Sequence, residues 1–246
     1  MRSLNNINYY RDLYLDIYLP EKDCFSLLIY FHGGGMVEGD KGDNIEVFKQ
    51  LVSLGYAVAS VNYSLYPNAK FPNYLKDAAN AVKYIFDHKK EIGNINKIYI
   101  TGSSAGAYIT MMLCLNKALL EEVGLSPLDI DGYISESGQM SDHFNIQHFE
   151  NGVDPNLQRI TELAPLYYVG PGIKVSPILL IWYSNDMFLR KEQNILLLES
   201  IKLYDKSANI SSIELEGTHC QGSSKLNKNN QSDYVIALDN WIKMFK

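Results

Sequence analysis

The sequence predicts an α/β fold in which a mostly parallel β-sheet carries helices on both faces. Three observations lead to this prediction. Strand-like and helix-like segments alternate along the chain. Several strand-like segments, 27–31 among them, are unbroken apolar runs, which are typical of strands buried on both faces. A serine flanked by glycines, Ser104, stands between one such run and a helix-like segment.

The predicted elements follow these patterns in chain order. Leu13–Leu19 alternates apolar and polar residues and ends before Pro20, which predicts an edge strand. Apolar runs predict strands at 27–31, 56–61 and 97–101, and further strands are predicted at 132–135, 177–183 and 210–215. Apolar residues at helical spacing predict helices at 45–54, 75–86, 107–113, 195–204 and 235–245. Such an alternation favours parallel strands, with the chemistry at their carboxyl ends.

Size and composition indicate an ordinary globular protein. The 246 residues are 46% hydrophobic and 20% charged, and we expect residues 1–246 to form a single domain with 138–165 as a small lid insertion. The net charge of −6 argues against nucleic acid or an anionic membrane as a partner. No apolar run approaches the ~20 residues of a membrane span.

The expected location is the cytoplasm. The first residues lack the apolar stretch of a secretory signal. The three cysteines, Cys24, Cys114 and Cys220, are scattered and odd in number, which favours reduced thiols over a disulfide framework.

The pentapeptide Gly-Ser-Ser-Ala-Gly at 102–106 points to a catalytic serine. A serine in the middle of G-x-S-x-G, between a strand and a helix, is the pattern of a nucleophile elbow. The glycines are needed because strand and helix pass so closely that side chains at these positions would collide. A Gly/Ser-rich loop that merely caps a helix is the alternative interpretation of this pentapeptide.

A base and an acid for this serine are predicted further along the chain. A serine hydroxyl attacks efficiently only when a base takes its proton and an acid orients that base. His219 follows the last predicted strand and is the predicted base, and Asp186 follows the strand 177–183 and is the predicted acid. The chain order Ser, Asp, His is expected of this arrangement. Asp205, at a helix end, is the alternative acid, and Asp186 would then only cap a turn.

The donors for an oxyanion are predicted in a glycine-rich loop. His32 and three glycines follow the strand 27–31 directly, at the carboxyl end where hydrolases with a nucleophile elbow place such donors. The predicted donors are the backbone N–H groups of Gly34, Gly35 and Ala105. His32 is expected to order the loop.

Four stretches of the chain carry a resemblance to a known family. They are 15–20, 31–41, 61–72 and 102–106. Together with Asp186 and His219, they resemble an α/β-hydrolase of the hormone-sensitive-lipase-like and carbohydrate-esterase-like group. The resemblance implies an α/β-hydrolase fold with a mostly parallel eight-stranded sheet. Ser64 departs from the family pattern, which often has arginine there, so the turn must be held by something other than an ion pair with Asp77.

The function implied by these residues and this resemblance is a serine carboxylesterase. It would hydrolyse small acyl esters through an acyl-enzyme, with acetyl or feruloyl groups on carbohydrate as candidates. Only about 30 residues precede the oxyanion loop, which favours the smaller esterases. The alternatives are an arylformamidase-like amide hydrolase and a non-catalytic ligand-binding protein on the same fold. The expected partner is a small-molecule ester, no metal or other cofactor is required, and a homodimer is left open.

Overall fold

The computed structural model of the protein describes residues 1–245. Its eight strands are β1 (Arg2–Tyr10), β2 (Leu13–Leu19), β3 (Cys24–Phe31), β4 (Ala57–Val61), β5 (Asn94–Ser103), β6 (Gly132–Glu136), β7 (Ile178–Asn185) and β8 (Ile210–Thr218). They form one sheet in the order β1-β2-β4-β3-β5-β6-β7-β8. β2 pairs antiparallel with β1 and with β4, whereas β3 to β8 run parallel to one another. The predicted mostly parallel eight-stranded sheet is confirmed.

Helices cover both faces of this sheet, as predicted. They are α1 (Ile45–Ser53), α2 (Asn73–Ile92), α3 (Ala105–Leu115), α4 (Ala118–Glu121), α5 (Arg190–Tyr204), α6 (Gln221–Ser224) and α7 (Asp233–Lys243). Alternate residues of β3 point to opposite faces: Leu27 and Ile29 pack in the core under α2, α3 and α5, whereas Leu28 and Tyr30 pack in the core under α1 and α7. Burial on both sides explains the unbroken apolar runs of the central strands.

The prediction that Leu13–Leu19 is an edge strand was wrong. β1 pairs with this strand and takes the edge position, so that β2 lies inside the sheet and five of its seven residues are buried. The segment Arg2–Tyr10 was not predicted as a strand. Most of its residues are exposed, and it therefore lacks the apolar alternation by which a half-buried strand is recognised.

The parallel arrangement brings the loops after β3, β5, β7 and β8 to one edge of the sheet. These are the loops that contain the predicted site residues. Within residues 1–245, none of the helices combines the length and the apolar character that a membrane-spanning segment requires.

Candidate active site

Ser104 lies at a sharp turn between β5 and α3 in a conformation that side chains rarely adopt, with φ 54° and ψ −113°. The two glycines make this turn feasible. A Cβ atom placed at Gly106 would lie 1.9 Å from the Phe31 carbonyl oxygen, and one at Gly102 would lie 2.5 Å from the Gly106 carbonyl carbon. The predicted close passage of strand and helix is therefore confirmed, and its atoms are backbone atoms that cannot move aside.

Ser104, His219 and Asp186 form one hydrogen-bonded line, although they are far apart in the sequence. His219 Nε2 lies 2.9 Å from Ser104 Oγ, and His219 Nδ1 lies 2.5 Å from Asp186 Oδ1. The Asp186 side chain is 2% exposed and the His219 side chain 26% exposed, so the imidazole connects a buried carboxylate with a solvent-accessible hydroxyl. This is the geometry that transfers a proton from a serine to a histidine.

Asp186 is held from several sides. Its Oδ2 accepts a hydrogen bond of 2.6 Å from Ser137 Oγ, and its Oδ1 accepts one of 2.7 Å from the Met187 amide. Burial raises the pKa of Asp186, but the hydrogen bonds from His219 and Ser137 outweigh it and lower the pKa below its usual value. The carboxylate is thus ionised at neutral pH, as a group that orients an imidazole must be.

The alternative acid, Asp205, does not reach the histidine. It caps the carboxyl end of α5, where it pairs with Lys174 Nζ at 2.9 Å and accepts a hydrogen bond from Ser207. Its role in the structure is to end the helix.

The glycine-rich loop lies beside the serine. Gly34 and Gly35 have φ of 102° and 62°, and the Gly34 carbonyl accepts hydrogen bonds from the amides of residues 37 and 38, which closes the turn. Among the residues that the structure describes, no acceptor is bonded to the N–H groups of Gly34 and Gly35. The N–H group of Ser104, in contrast, donates to the Glu136 carbonyl at 2.8 Å. The loop amides therefore keep their hydrogen-bonding capacity.

His32 orders the base of this loop. Its ring stacks on Tyr63 with 4.3 Å between ring centroids, and its Nδ1 lies 2.7 Å from the Gly33 carbonyl oxygen. The Tyr63 hydroxyl donates to the His32 carbonyl at 2.8 Å. Burial lowers the pKa of His32, and the residue is only 1% exposed. This environment agrees with the structural role predicted for His32.

The turn after β4 is held by hydrogen bonds in place of the family's ion pair. Both the hydroxyl and the N–H group of Ser64 donate to Asp77 Oδ2, the latter at 3.2 Å. The prediction that this turn is held in another way is confirmed.

An open cleft of about 640 Å³ lies over the serine, with Ser104, His219 and the first two glycines of the loop in its wall. Three carboxylates, those of Glu38, Asp40 and Asp43, line the same cleft, together with asparagine and serine side chains, and no lysine or arginine lies among its described lining residues. The charged side chains of the cleft are therefore acidic.

A buried polar network, which no motif in the sequence indicates, lies behind the serine. Glu136, at the end of β6, is fully buried and accepts hydrogen bonds from Ser103 Oγ, from the Tyr183 hydroxyl at 2.5 Å and from the Ser223 amide at 3.2 Å. Burial raises the pKa of Glu136. The network joins β5, β6, β7 and α6 directly beneath the elbow. The only sign of this network in the sequence is a glutamate directly after the predicted strand 132–135, and nothing around it marks the residue as buried.

The segment 138–165 is packed against the body of the protein and reaches the glycine-rich loop. Asn145 Nδ2 donates to the Gly35 carbonyl at 2.8 Å, and the Tyr108 hydroxyl donates to the Leu163 carbonyl at 2.7 Å. His143 is 2% exposed and stacks on Phe144, and burial lowers its pKa to about 3, so it is neutral at physiological pH. This histidine is too deeply buried to compete with His219 for the serine.

Solved structures of several esterases share this fold. Esterase B from Lactobacillus rhamnosis superposes with a TM-score of 0.77 at 16% sequence identity, over 99% of this chain and 84% of that one. A truncated carbohydrate esterase from gut microbiota gives a TM-score of 0.77 at 19% identity, over 99% and 96% of the two chains. A thermophilic esterase of Thermogutta terrifontis with butyrate bound gives 0.74 at 18% identity, over 97% and 92%. The architecture is thus that of the α/β hydrolases.

Curated relatives match a shorter part of the sequence. An acetyl esterase of Salmonella schwarzengrund is 32% identical over 112 residues, which are 45% of this chain and 33% of that protein. The acetyl esterase of Salmonella paratyphi B matches to the same extent. The matched segment therefore spans about a third of the length of these relatives.

A protein-family model, BD-FAE, matches residues 15–148, which are more than half of the chain. The matched part contains most of β2, the glycine-rich loop, the elbow with Ser104 and the network residue Glu136. The chain belongs to the BD-FAE family of α/β hydrolases.

Proposed function

We propose that this protein is a serine carboxylesterase that hydrolyses small acyl esters through an acyl-enzyme. The observation that carries the proposal is the line of two hydrogen bonds, 2.9 Å and 2.5 Å long, that joins Ser104 through His219 to Asp186. Three groups of these types in this order perform nucleophilic acyl transfer on many folds.

In the first step, Ser104 Oγ attacks the ester carbonyl carbon while its proton passes to His219 Nε2. Asp186 accepts a hydrogen bond from the Nδ1–H group of the imidazole. This bond leaves Nε2 free to act as the base and stabilises the imidazolium that forms. The carbonyl oxygen becomes an oxyanion, to which Gly34, Gly35 and Ala105 donate their N–H groups. Each such donor contributes ~3 kcal/mol to the stability of the transition state in comparable sites.

The tetrahedral intermediate then collapses. The bond between the carbonyl carbon and the alcohol oxygen breaks, and His219 Nε2 returns its proton to the leaving alcohol, which leaves the acyl group on Ser104. A water molecule, deprotonated by the same imidazole, attacks this ester in turn and releases the acid. Every proton thus passes through His219, and no redox step is involved.

The proposed substrates are acetyl and feruloyl esters of alcohols that carry several hydroxyl groups, such as carbohydrates. The open cleft over Ser104 is lined by carboxylate, amide and hydroxyl groups, which match the hydroxyl groups of a carbohydrate by hydrogen bonding. The names of the relatives, acetyl esterase and carbohydrate esterase, point in the same direction.

The test is hydrolysis of p-nitrophenyl acetate by the wild type, Ser104→Ala and His219→Ala. We expect kcat/KM of both variants to fall at least about 10³-fold below that of the wild type. Ser212→Ala, at an exposed position on β8, is the matched control and should keep wild-type activity. Labelling by an organophosphate, located by mass spectrometry, should fall on Ser104. Equal rates for wild type and Ser104→Ala would overturn the proposal.

The amide hydrolase is the second candidate function, because the same three residues serve both reactions. Turnover of an acetylated sugar, a feruloylated sugar and N-formylkynurenine decides between them. A higher kcat/KM for the formamide than for both esters would replace the esterase proposal. Failure of an organophosphate to label Ser104 would favour the non-catalytic binding protein.

A further inference from the structure

One charged side chain near the site is buried without a partner. Arg190, at the start of α5, is 4% exposed, and its Nε and Nη1 atoms have no hydrogen-bond acceptor among the described residues. Among the described residues, the guanidinium makes one hydrogen bond, from Nη2 to the Met187 sulfur at 3.6 Å, and a thioether sulfur is a weak acceptor. An unpaired guanidinium is costly to bury, so this arrangement calls for an anion.

The neighbouring carboxylate does not supply that anion. The charge of Asp186 acts on Arg190, but its two oxygens accept hydrogen bonds from His219, Ser137 and the Met187 amide. Within residues 1–245, no carboxylate oxygen lies within 4.0 Å of the guanidinium nitrogens. Burial lowers the pKa of Arg190 to about 10, so the group is still a cation at neutral pH.

Arg190 lines a small cavity of about 220 Å³, for which we use the name arginine cavity. Its described lining residues are Gln139, Phe144, Pro155, Asn156, Gln158, Met187, Phe188, Arg190 and Gln193. The arginine is the only charged residue in this set. The glutamine side chains are already engaged with one another and with the backbone of the segment 138–165. Phe144, Met187 and Phe188 supply apolar walls, of which Phe188 is 78% exposed.

The arginine cavity adjoins the proposed triad. Met187 and Phe188 directly follow Asp186 on the loop between β7 and α5. On the other side, Phe144 lies near the glycine-rich loop, because its Cζ atom is 3.9 Å from the point where a Cβ atom at Gly35 would be. A group bound in the cavity therefore lies close to the loop that carries Asp186 and to the glycine-rich loop.

The open cleft and the arginine cavity carry opposite charges. The open cleft over Ser104 contains Glu38, Asp40 and Asp43, and a negatively charged group is repelled there. The arginine cavity contains one cation and no acid among its described residues. A substrate with one hydroxylated part and one anionic part would have its orientation fixed by this contrast.

We propose that Arg190 binds a carboxylate carried by the ester substrate, so that the preferred substrates of this enzyme are esters with an anionic group. The proposal rests on the proposed esterase function. The fork of the guanidinium matches a carboxylate in a bidentate manner. The apolar walls fit a short alkyl or aryl stem between that carboxylate and the ester.

Two matched pairs of esters test the proposal and locate the anion. For the acyl side, p-nitrophenyl hydrogen glutarate is compared with p-nitrophenyl pentanoate. For the alcohol side, meta-acetoxybenzoate is compared with meta-acetoxytoluene. The readout is the ratio of kcat/KM, anionic over neutral, within each pair. In the wild type, we expect the ratio to exceed about ten in one pair, and Arg190→Met should lower it there by a similar factor.

The control is Lys191→Met, which removes the same charge one residue further along α5. Lys191 points to Glu214, with 2.5 Å between Nζ and Oε2, and this variant should leave both ratios unchanged. Arg190→Lys, which keeps the charge but loses the fork, should give an intermediate ratio. A wild type that prefers the neutral ester in both pairs would overturn the proposal, as would an Arg190→Met protein with the wild-type ratio.

A binding measurement separates this proposal from the esterase proposal. Calorimetry in the Ser104→Ala background measures binding of glutarate and of meta-hydroxybenzoate, with and without Arg190→Met. We expect at least one acid to bind, and the arginine variant to bind it about tenfold more weakly or not at all. If the wild type hydrolyses no ester yet the acid binds through Arg190, only the esterase proposal fails. If neither acid binds, the anion site is wrong.

Discussion

At the residue scale, the balance between hydrogen bonds and burial sets the pKa of each buried carboxyl group. Asp186 and Glu136 are both buried carboxyl groups near Ser104, but their environments shift their pKa values in opposite directions. Donors that favour the ionised form outweigh burial at Asp186, whereas burial dominates at Glu136. The first is suited to orient a cationic imidazole, and the second to hold a structural network together.

Asp186→Asn should lower kcat/KM for p-nitrophenyl acetate by about 10³ to 10⁴. The amide cannot stabilise the imidazolium, and it favours the tautomer in which Nε2 carries the proton and cannot serve as a base. Asp205→Asn is the control, since its carboxylate bonds to Lys174 and Ser207 and does not reach His219. An Asp205 variant that loses activity while Asp186→Asn keeps it would reverse the assignment of the acid.

Glu136→Gln should change how stability depends on pH. Because the pKa of Glu136 is raised in the folded state, its ionisation costs stability as the pH rises from the unfolded pKa toward the folded one. The glutamine removes this loss. The change in unfolding free energy caused by the substitution should therefore be more favourable at pH 7 than at pH 4, by about 1.4 kcal/mol for each unit of pKa elevation.

Urea denaturation at the two pH values measures this difference. Glu199→Gln, at an exposed position on α5, is the control and should show much less pH dependence. A Glu136 variant whose effect on stability is the same at both pH values would contradict the raised pKa.

At the element scale, the elbow was predictable and its surroundings were not. Ser104 was predicted because its motif is local and lies between two recognisable elements, and Asp186 and His219 because they directly follow later strands. Asn145 and Arg190 lie near the site, the first just before the helical turn Ile146–Glu150 and the second at the start of α5. The positions of these segments depend on the whole fold, and no local pattern marks the two residues.

Gly106→Ala should destabilise the protein by about 3 kcal/mol or more, or prevent folding. The added Cβ atom would lie 1.9 Å from a backbone oxygen of β3, so β3 or α3 must shift. Gly170→Ala is the control, because a Cβ atom there meets nothing within 4 Å, and it should change stability by less than about 0.5 kcal/mol. Chemical denaturation of both variants measures the contrast. Equal stabilities would refute the close passage of strand and helix.

Ser64→Ala should destabilise the protein by about 1 to 3 kcal/mol. Asp77 is 3% exposed and loses the hydroxyl donor that holds the turn after β4, while the Ser64 amide remains. Ser53→Ala, at the exposed end of α1, should cost much less. The measurement is again the free energy of unfolding, and a Ser64 variant as stable as the Ser53 variant would show that the hydroxyl does not support this turn.

At the scale of the whole molecule, the sheet could be predicted but not its outer boundary. The apolar residues of β3 to β7 identify strands that are covered on both sides. β1 was not predicted, because an exposed, polar edge strand has no such pattern. Without β1 among the predicted strands, the predicted edge of the sheet is β2. Pairing across the sheet, and not local sequence, decides which strand is outermost.

The segment 138–165 is hydrogen-bonded to the glycine-rich loop through Asn145, and Asn145→Ala tests this connection. Loss of the hydrogen bond to the Gly35 carbonyl should lower kcat/KM by about threefold to tenfold, because the loop amides lose part of their fixed orientation. Asn151→Ala, at an exposed position in the same segment, is the control. Wild-type kinetics for the Asn145 variant would show that the loop needs no support from this segment.

The position of one thiol has a practical consequence. Cys24 is exposed at the first residue of β3, at the opposite end of this parallel strand from the glycine-rich loop. Cys114 is buried, and burial raises the pKa of Cys220, so both react slowly with alkylating reagents. A maleimide resin should therefore capture the protein in one orientation, with the cleft facing the bulk liquid and the immobilised enzyme ready for substrate flow.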